Sequence, residues 1–306
     1  MLKSIKSNGT IGIISPSWPP QKKQLESGLN YLKSRGLNIK LGKNVGKRHG
    51  YFSGTDEERL SDIHDMFADP EIDIIMCTRG GWGGLRLINK IDYDLVRKNP
   101  KLLVGYSDIT TLQLAFWTKI ALPSLSGPMV GVEMGKGIAA FSEQHLWGQI
   151  YNRNPFYHFN YQQSDTSVMK PGKAQGVLLG GCLSLVCHLI GTEYSPDYSG
   201  AILFLEDVGE KPYKIDRYLA QLKQSGILNK INGLILGYFM DCTADEDEVS
   251  FHVDEILDDY FSGIAYPVIR NFPYGHGDVK FSMPIGVRTV LDTERGEIIF
   301  GNPFIE

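Results

Sequence analysis

Ile72-Asp73-Ile74-Ile75-Met76-Cys77-Thr78-Arg79-Gly80-Gly81-Trp82-Gly83-Gly84 is the stretch on which the fold turns. An apolar run that stops at a glycine-rich turn reads as a strand buried on both faces, and such strands belong to parallel sheets covered by helices. Working upstream, Thr10 to Ser15 is a second apolar strand, followed by Leu25, Leu29 and Leu32 at helical spacing. Leu37, Ile39 and Leu41 alternate as a strand does, and Thr55 with Glu58 forms a capping box ahead of Leu60, Ile63 and Phe67. Downstream, Leu102 to Tyr106 is again a strand, with Ile109, Leu112, Ala115 and Phe116 continuing as a helix. Strand and helix alternate throughout, which predicts an α/β domain built on a doubly wound parallel sheet.

The chain has 306 residues, enough for two domains at about 150 residues each. Between Glu133 and Lys173 the periodicity fades into polar and aromatic residues, including Asn152, Asn154, Pro155 and Pro171-Gly172. The expected division is a first domain over 1–135, a linker over 136–173 and a second domain over 174–306. In the second, Gln175 to Leu179, Ala201 to Leu205, Leu234 to Phe239 and Pro267 to Arg270 read as strands. Ile215, Leu219 and Leu222 mark a helix, and Gly286 to Leu291 with Glu297 to Phe300 reads as a β-hairpin.

Composition narrows the function. At 42% hydrophobic and 22% charged residues the chain is neither disordered nor fibrous. Lys and Arg number 31 against 35 Asp and Glu, a net charge of −4, so there is no basic excess with which to bind nucleic acid. The four cysteines form no CxxC pair, which argues against zinc and redox chemistry and for reduced thiols in a cytoplasm. His252 with Asp254 and His276 with Asp278 are isolated pairs, so no metal site is expected. The apolar stretch Ile11 to Ile14 is too short for a signal peptide, and no run approaches the ~18 residues of a membrane span. The Arg79 to Gly84 turn is not GxGxxG and does not lie in the first βα unit, so no dinucleotide cofactor is expected either.

Ser107, in Gly105-Tyr106-Ser107-Asp108-Ile109, stands at a strand-to-helix turn, where a nucleophile elbow lifts a serine Oγ clear of a sheet. The same position suits a helix-capping serine. The Asp108 amide and those of Gly80 and Gly81, from the preceding strand's turn, are candidate oxyanion-hole donors at one sheet edge. Among seven histidines, His276 lies between two glycines in a loop that can present its ring. Glu206 and Asp207 follow an apolar strand, and because adjacent residues face opposite ways only one can orient that histidine. Gly180-Gly181-Cys182 offers a rival cysteine elbow, or a buried thiol at a tight βα turn. Arg79 suits a substrate carboxylate or a structural ion pair.

Together these segments resemble the LD-carboxypeptidase family of serine peptidases, which includes muramoyltetrapeptide carboxypeptidases and microcin C immunity peptidases. The resemblance runs through Ile11 to Ser17, Arg79 to Gly83, Gly105 to Asp108 and Ser126-Gly127-Pro128-Met129. It continues through Gly180-Gly181, Leu205 to Glu210, Tyr213 to Arg217 and Gly275-His276. It implies a flavodoxin-like nucleophile domain and a C-terminal β-rich α/β domain carrying acid and base. It also implies a cytoplasmic homodimer and a metal-independent Ser107, Glu206, His276 triad, choosing Glu206 over Asp207. The implied substrate is a small muropeptide, whose terminal D-alanine is released during peptidoglycan recycling. An immunity-type peptidase acting on peptidyl or aminoacyl nucleotides, and a non-catalytic muropeptide binder, are the other readings. Cys182 departs from the asparagine the family commonly carries after its double glycine.

Overall fold

The computed structural model describes residues 2 and 5–304. They form two compact units, one comprising Met1–Pro155, Phe281–Gly286 and Asn302–Glu306, the other Phe156–Lys280 and Val287–Gly301.

The first unit runs β1 (Thr10–Ile14), α1 (Lys22–Ser34), β2 (Asn38–Leu41), α2 (Asp56–Ala68), β3 (Ile74–Cys77) and α3 (Tyr93–Lys98). It continues with β4 (Leu102–Val104), α4 (Ile109–Ile120), β5 (Ser124–Ser126), α5 (Glu133–Lys136) and α6 (Ala140–Ile150). Five strands of its six-stranded sheet, in the order β2-β1-β3-β4-β5, are parallel, the arrangement of a flavodoxin-like doubly wound fold. Ile74, Ile75, Met76 and Cys77 are all fully buried, each apolar side chain contributing about 2 kcal/mol relative to exposure. The capping box of α2 is present, with Thr55 N–H donating to Glu58 Oε2 at 2.9 Å and Glu58 N–H to Thr55 Oγ1 at 3.3 Å. Every residue of α4 from Ile109 to Phe116 is buried, so this helix is a central one covered on all sides.

The second unit begins with β6 (Phe156–Asn160), β7 (Ser167–Lys170), β8 (Lys173–Cys182), α7 (Leu183–Leu189) and β9 (Ile202–Val208). It continues with α8 (Pro212–Gln224), β10 (Gly233–Met240), α9 (Val253–Phe261) and β11 (Val268–Arg270). The chain then lends β12 (Met283–Ile285) to the first sheet, antiparallel to β5, and finishes with the hairpin β13 (Arg288–Asp292) and β14 (Glu297–Gly301). The second sheet has eight strands in the order β6-β14-β13-β8-β9-β10-β11-β7. Strands β8 to β11 are parallel; β13, β14 and β6 on one flank and β7 on the other are antiparallel. The α8 stripe Ile215, Leu219, Leu222 is buried, and Pro212 opens the helix where its missing N–H costs nothing.

Segment 136–173 is not bare chain, because it carries α6, β6 and β7. Among the described residues no helix is long and apolar enough to cross a membrane.

Candidate active site

Between Val104, where β4 ends, and Ile109, where α4 begins, the chain turns through Ser107 with φ +64°. A serine in this left-handed region costs about 1–2 kcal/mol, and non-glycine residues held there are found at sites where the strain is used. The capping reading does not hold. Ser107 precedes the N-cap residue Asp108, and a capping serine is extended. A left-handed residue between the end of a strand and the start of a helix is the backbone form that a nucleophile elbow requires.

Gly80 packs directly on this turn. A Cβ built there would lie 2.7 Å from Ser107 Cβ, 2.8 Å from its Oγ and 3.3 Å from the Asp108 amide nitrogen, so only glycine fits. The backbones after β3 and after β4 therefore meet at the carboxyl edge of the sheet, where open α/β sheets hold ligands. Gly81, at φ +122°, continues this turn beside Trp18.

Asp108 does more than its amide suggested. Its buried Oδ2 accepts from Ser17 Oγ at 2.5 Å and from Gly84 N–H at 2.8 Å, tying the loop after β1 and the glycine turn to the start of α4. Burial raises its pKa, while those donors and Arg59 pull it down. Sequence reasoning missed Ser17 and this carboxylate; Ser15-Pro16-Ser17 immediately after β1 was the available signal. Asp108→Ala leaves the Ser17 hydroxyl and the Gly84 amide without their acceptor and is expected to cost about 2–4 kcal/mol of stability, read from urea unfolding. A cost under about 0.5 kcal/mol contradicts this account of the brace.

In the second unit Glu206 lies near the end of β9, fully buried, with Oε2 2.7 Å from His276 Nδ1. Gly275, at φ +123°, makes this approach possible, since a Cβ there would sit 2.8 Å from Glu206 Oε2. Tyr274 anchors the loop: its carbonyl accepts from Tyr238 N–H at 2.9 Å and its ring meets Phe204 edge-on at 5.1 Å. Such a pair holds an imidazole in one tautomer, with Nδ1 protonated and Nε2 able to accept a proton.

Asp207 faces the other way, as strand alternation requires. It accepts from Ser184 N–H at 2.8 Å, serving the first turn of α7, and from Val208 N–H at 2.9 Å. Cys182 is buried beside it, its Sγ 3.4 Å from Asp207 Oδ1. Burial, then the Asp207 and Glu206 carboxylates, push that thiol well above its ordinary pKa, so it is not a thiolate nucleophile. Among the described residues no group of three or more His, Cys, Asp or Glu side chains could hold a metal ion.

The LD-carboxypeptidase N-terminal domain model matches residues 11–127, and the C-terminal domain model of the same family matches 175–291. A probable murein peptide carboxypeptidase from Bacillus subtilis is 37% identical over 291 residues, covering 95% of this chain and 91% of its own. The crystal structure of muramoyltetrapeptide carboxypeptidase from Oxalobacter formigenes is 32% identical with a TM-score of 0.85, covering 95% of this chain and 98% of that one. The microcin C7 self-immunity protein MccF of Escherichia coli is 28% identical over 95% of this chain and 92% of its own. A MccF structure in the wild type apo state, 25% identical, superposes with a TM-score of 0.92 over 100% of this chain and 99% of that one. Two family models in succession and relatives alike over nearly the whole chain place this protein in the LD-carboxypeptidase family, as a serine-type hydrolase.

Proposed function

We propose that the protein is a serine LD-carboxypeptidase that releases the terminal D-alanine from murein tetrapeptides. The observation that carries the catalytic reading is the left-handed backbone of Ser107 at the end of β4, packed against Gly80. Ser107 Oγ attacks the carbonyl preceding the terminal D-residue, His276 takes the proton and returns it to the leaving amine, and Glu206 steadies the imidazolium between. Water then hydrolyses the acyl-enzyme by the same route. The amides of Asp108 and of Gly80 or Gly81 receive the oxyanion, each donor worth about 3 kcal/mol in comparable sites. The Bacillus and Oxalobacter relatives, both described as carboxypeptidases of murein or muramoyl peptides, support the substrate.

The test is incubation with EDTA and an L-Ala, γ-D-Glu, diaminopimelate, D-Ala tetrapeptide, following free D-alanine by mass spectrometry beside Ser107→Ala. Release by the wild type alone supports the reading. No release from folded protein overturns it.

The likeness to MccF favours a second reading, hydrolysis of aminoacyl or peptidyl nucleotides. One MccF structure, 25% identical with a TM-score of 0.89, is a complex with aspartyl sulfamoyl adenosine. Here the exposed Trp82 ring is the surface on which a base would stack. Cleavage of an aminoacyl adenylate in preference to the tetrapeptide selects this reading.

A further inference from the structure

Arg79 directly follows Thr78 and precedes Gly80, whose backbone walls the Ser107 side chain. Its guanidinium carbon lies 5.1 Å from the centre of the Trp18 ring, and Trp18 meets the exposed Trp82 edge-on at 4.8 Å. The Nε of Arg79 is buried without a hydrogen-bond partner, and among the described residues the guanidinium has no carboxylate partner. Burial accordingly lowers its pKa.

The other cations of these loops are committed elsewhere. Arg59, Arg86 and Lys90 all converge on Asp56, at 2.6, 3.1 and 3.2 Å. Arg79 is thus a charge half withdrawn from water, stacked on an aromatic ring, with its anion missing from the fold. Such a charge is costly until an anion arrives, and the planar guanidinium fork fits a carboxylate through two parallel hydrogen bonds.

An exopeptidase that removes one C-terminal residue must sense a free carboxylate close to the scissile bond. We infer that Arg79 is the receptor for the terminal carboxylate of the substrate and so restricts cleavage to the last residue of the chain. The inference rests on the proposed peptidase reading and extends it, naming the group that selects the substrate's end. Trp18 backs the guanidinium and keeps water from one of its faces.

The experiment compares the tetrapeptide acid with its C-terminal amide, which removes the charge and little else. Wild-type kcat/KM is expected to favour the acid by about 100-fold, the scale of a bidentate charged pair. In Arg79→Gln the acid-to-amide ratio is expected to collapse toward one. A ratio within a single preparation is insensitive to the fraction folded, and a purely structural arginine leaves it unmoved. A ratio in Arg79→Gln equal to that of the wild type overturns the inference, as does a wild type indifferent to the amide. Should the wild type cleave neither peptide, calorimetry on Ser107→Ala, with and without Arg79→Gln, decides. A preference for the acid that Arg79→Gln abolishes sustains the carboxylate receptor while the peptidase reading falls. Equal binding of both peptides, or none, overturns the receptor.

Discussion

Ser107→Ala is expected to lower kcat on the tetrapeptide roughly a millionfold, the loss seen when a triad nucleophile is removed from a serine hydrolase. Its stability is expected to match the wild type, because alanine at φ +64° keeps the same backbone strain. Ser107→Gly separates the two effects. Glycine takes the left-handed turn without the Cβ clash, worth about 1–2 kcal/mol, while the added freedom of its unfolded chain takes back part of that gain. The net expectation is a protein about 0.5–1 kcal/mol more stable than Ser107→Ala and equally inactive. Ala121, exposed at the left-handed end of α4 with φ +51°, is the comparison. Ala121→Gly is expected to gain a similar amount and to leave D-alanine release untouched. Urea unfolding beside the D-alanine assay reads both. D-alanine release by Ser107→Ala, or a Ser107→Gly protein less stable than Ser107→Ala, removes the ground for treating this strain as functional.

The first sheet was legible because its central strands are buried on both faces and α1 keeps an apolar stripe: β3 reads directly from Ile74 to Cys77, and α1 from Leu25 and Leu32. Segment 136–173 was not, and α6 shows why. Its buried face includes Ser142, His145 and Gln149, and Gln149 Nε2 donates to the Ser282 carbonyl at 2.5 Å. A helix that packs polar side chains inward leaves no apolar period to find. Strands β6 and β7 lie at the two edges of the second sheet, and with only Phe159 of β6 and no residue of β7 buried, neither an apolar run nor an alternation marks them. β12 spans only Met283, Pro284 and Ile285, too short for any periodicity. At the candidate site the Ser107 turn was readable from its small neighbour and its place after a strand. The choice between Glu206 and Asp207 was not legible from strand alternation, which says only that one of them faces away; the family resemblance chose Glu206. The hydrogen bonds give the physical difference, Glu206 bonding His276 and Asp207 the α7 amide.

That separation has a kinetic consequence. Glu206→Gln is expected to lower kcat about 10,000-fold, as loss of the orienting carboxylate does in comparable triads. The amide has two orientations, and both fail. With its NH2 toward His276, Nδ1 must accept, the ring proton moves to Nε2, and no base remains for the Ser107 hydroxyl. With its oxygen toward His276 the tautomer survives, but nothing balances the imidazolium as it forms. The NH2 then replaces Oε1, a buried atom with no hydrogen-bond partner, and a donor stranded there costs about 1–3 kcal/mol. Because Glu206 is fully buried and acts through His276, the loss should fall on kcat with KM for the tetrapeptide little changed. Asp207→Asn is the matched control, next in sequence and nearly as buried, but bonded to the α7 amide. It should lower the urea midpoint while leaving kcat within about tenfold of the wild type, since it touches stability alone. If Asp207→Asn proves the more damaging to kcat, or Glu206→Gln retains a tenth of wild-type turnover, the assignment of Glu206 as the orienting carboxylate is wrong.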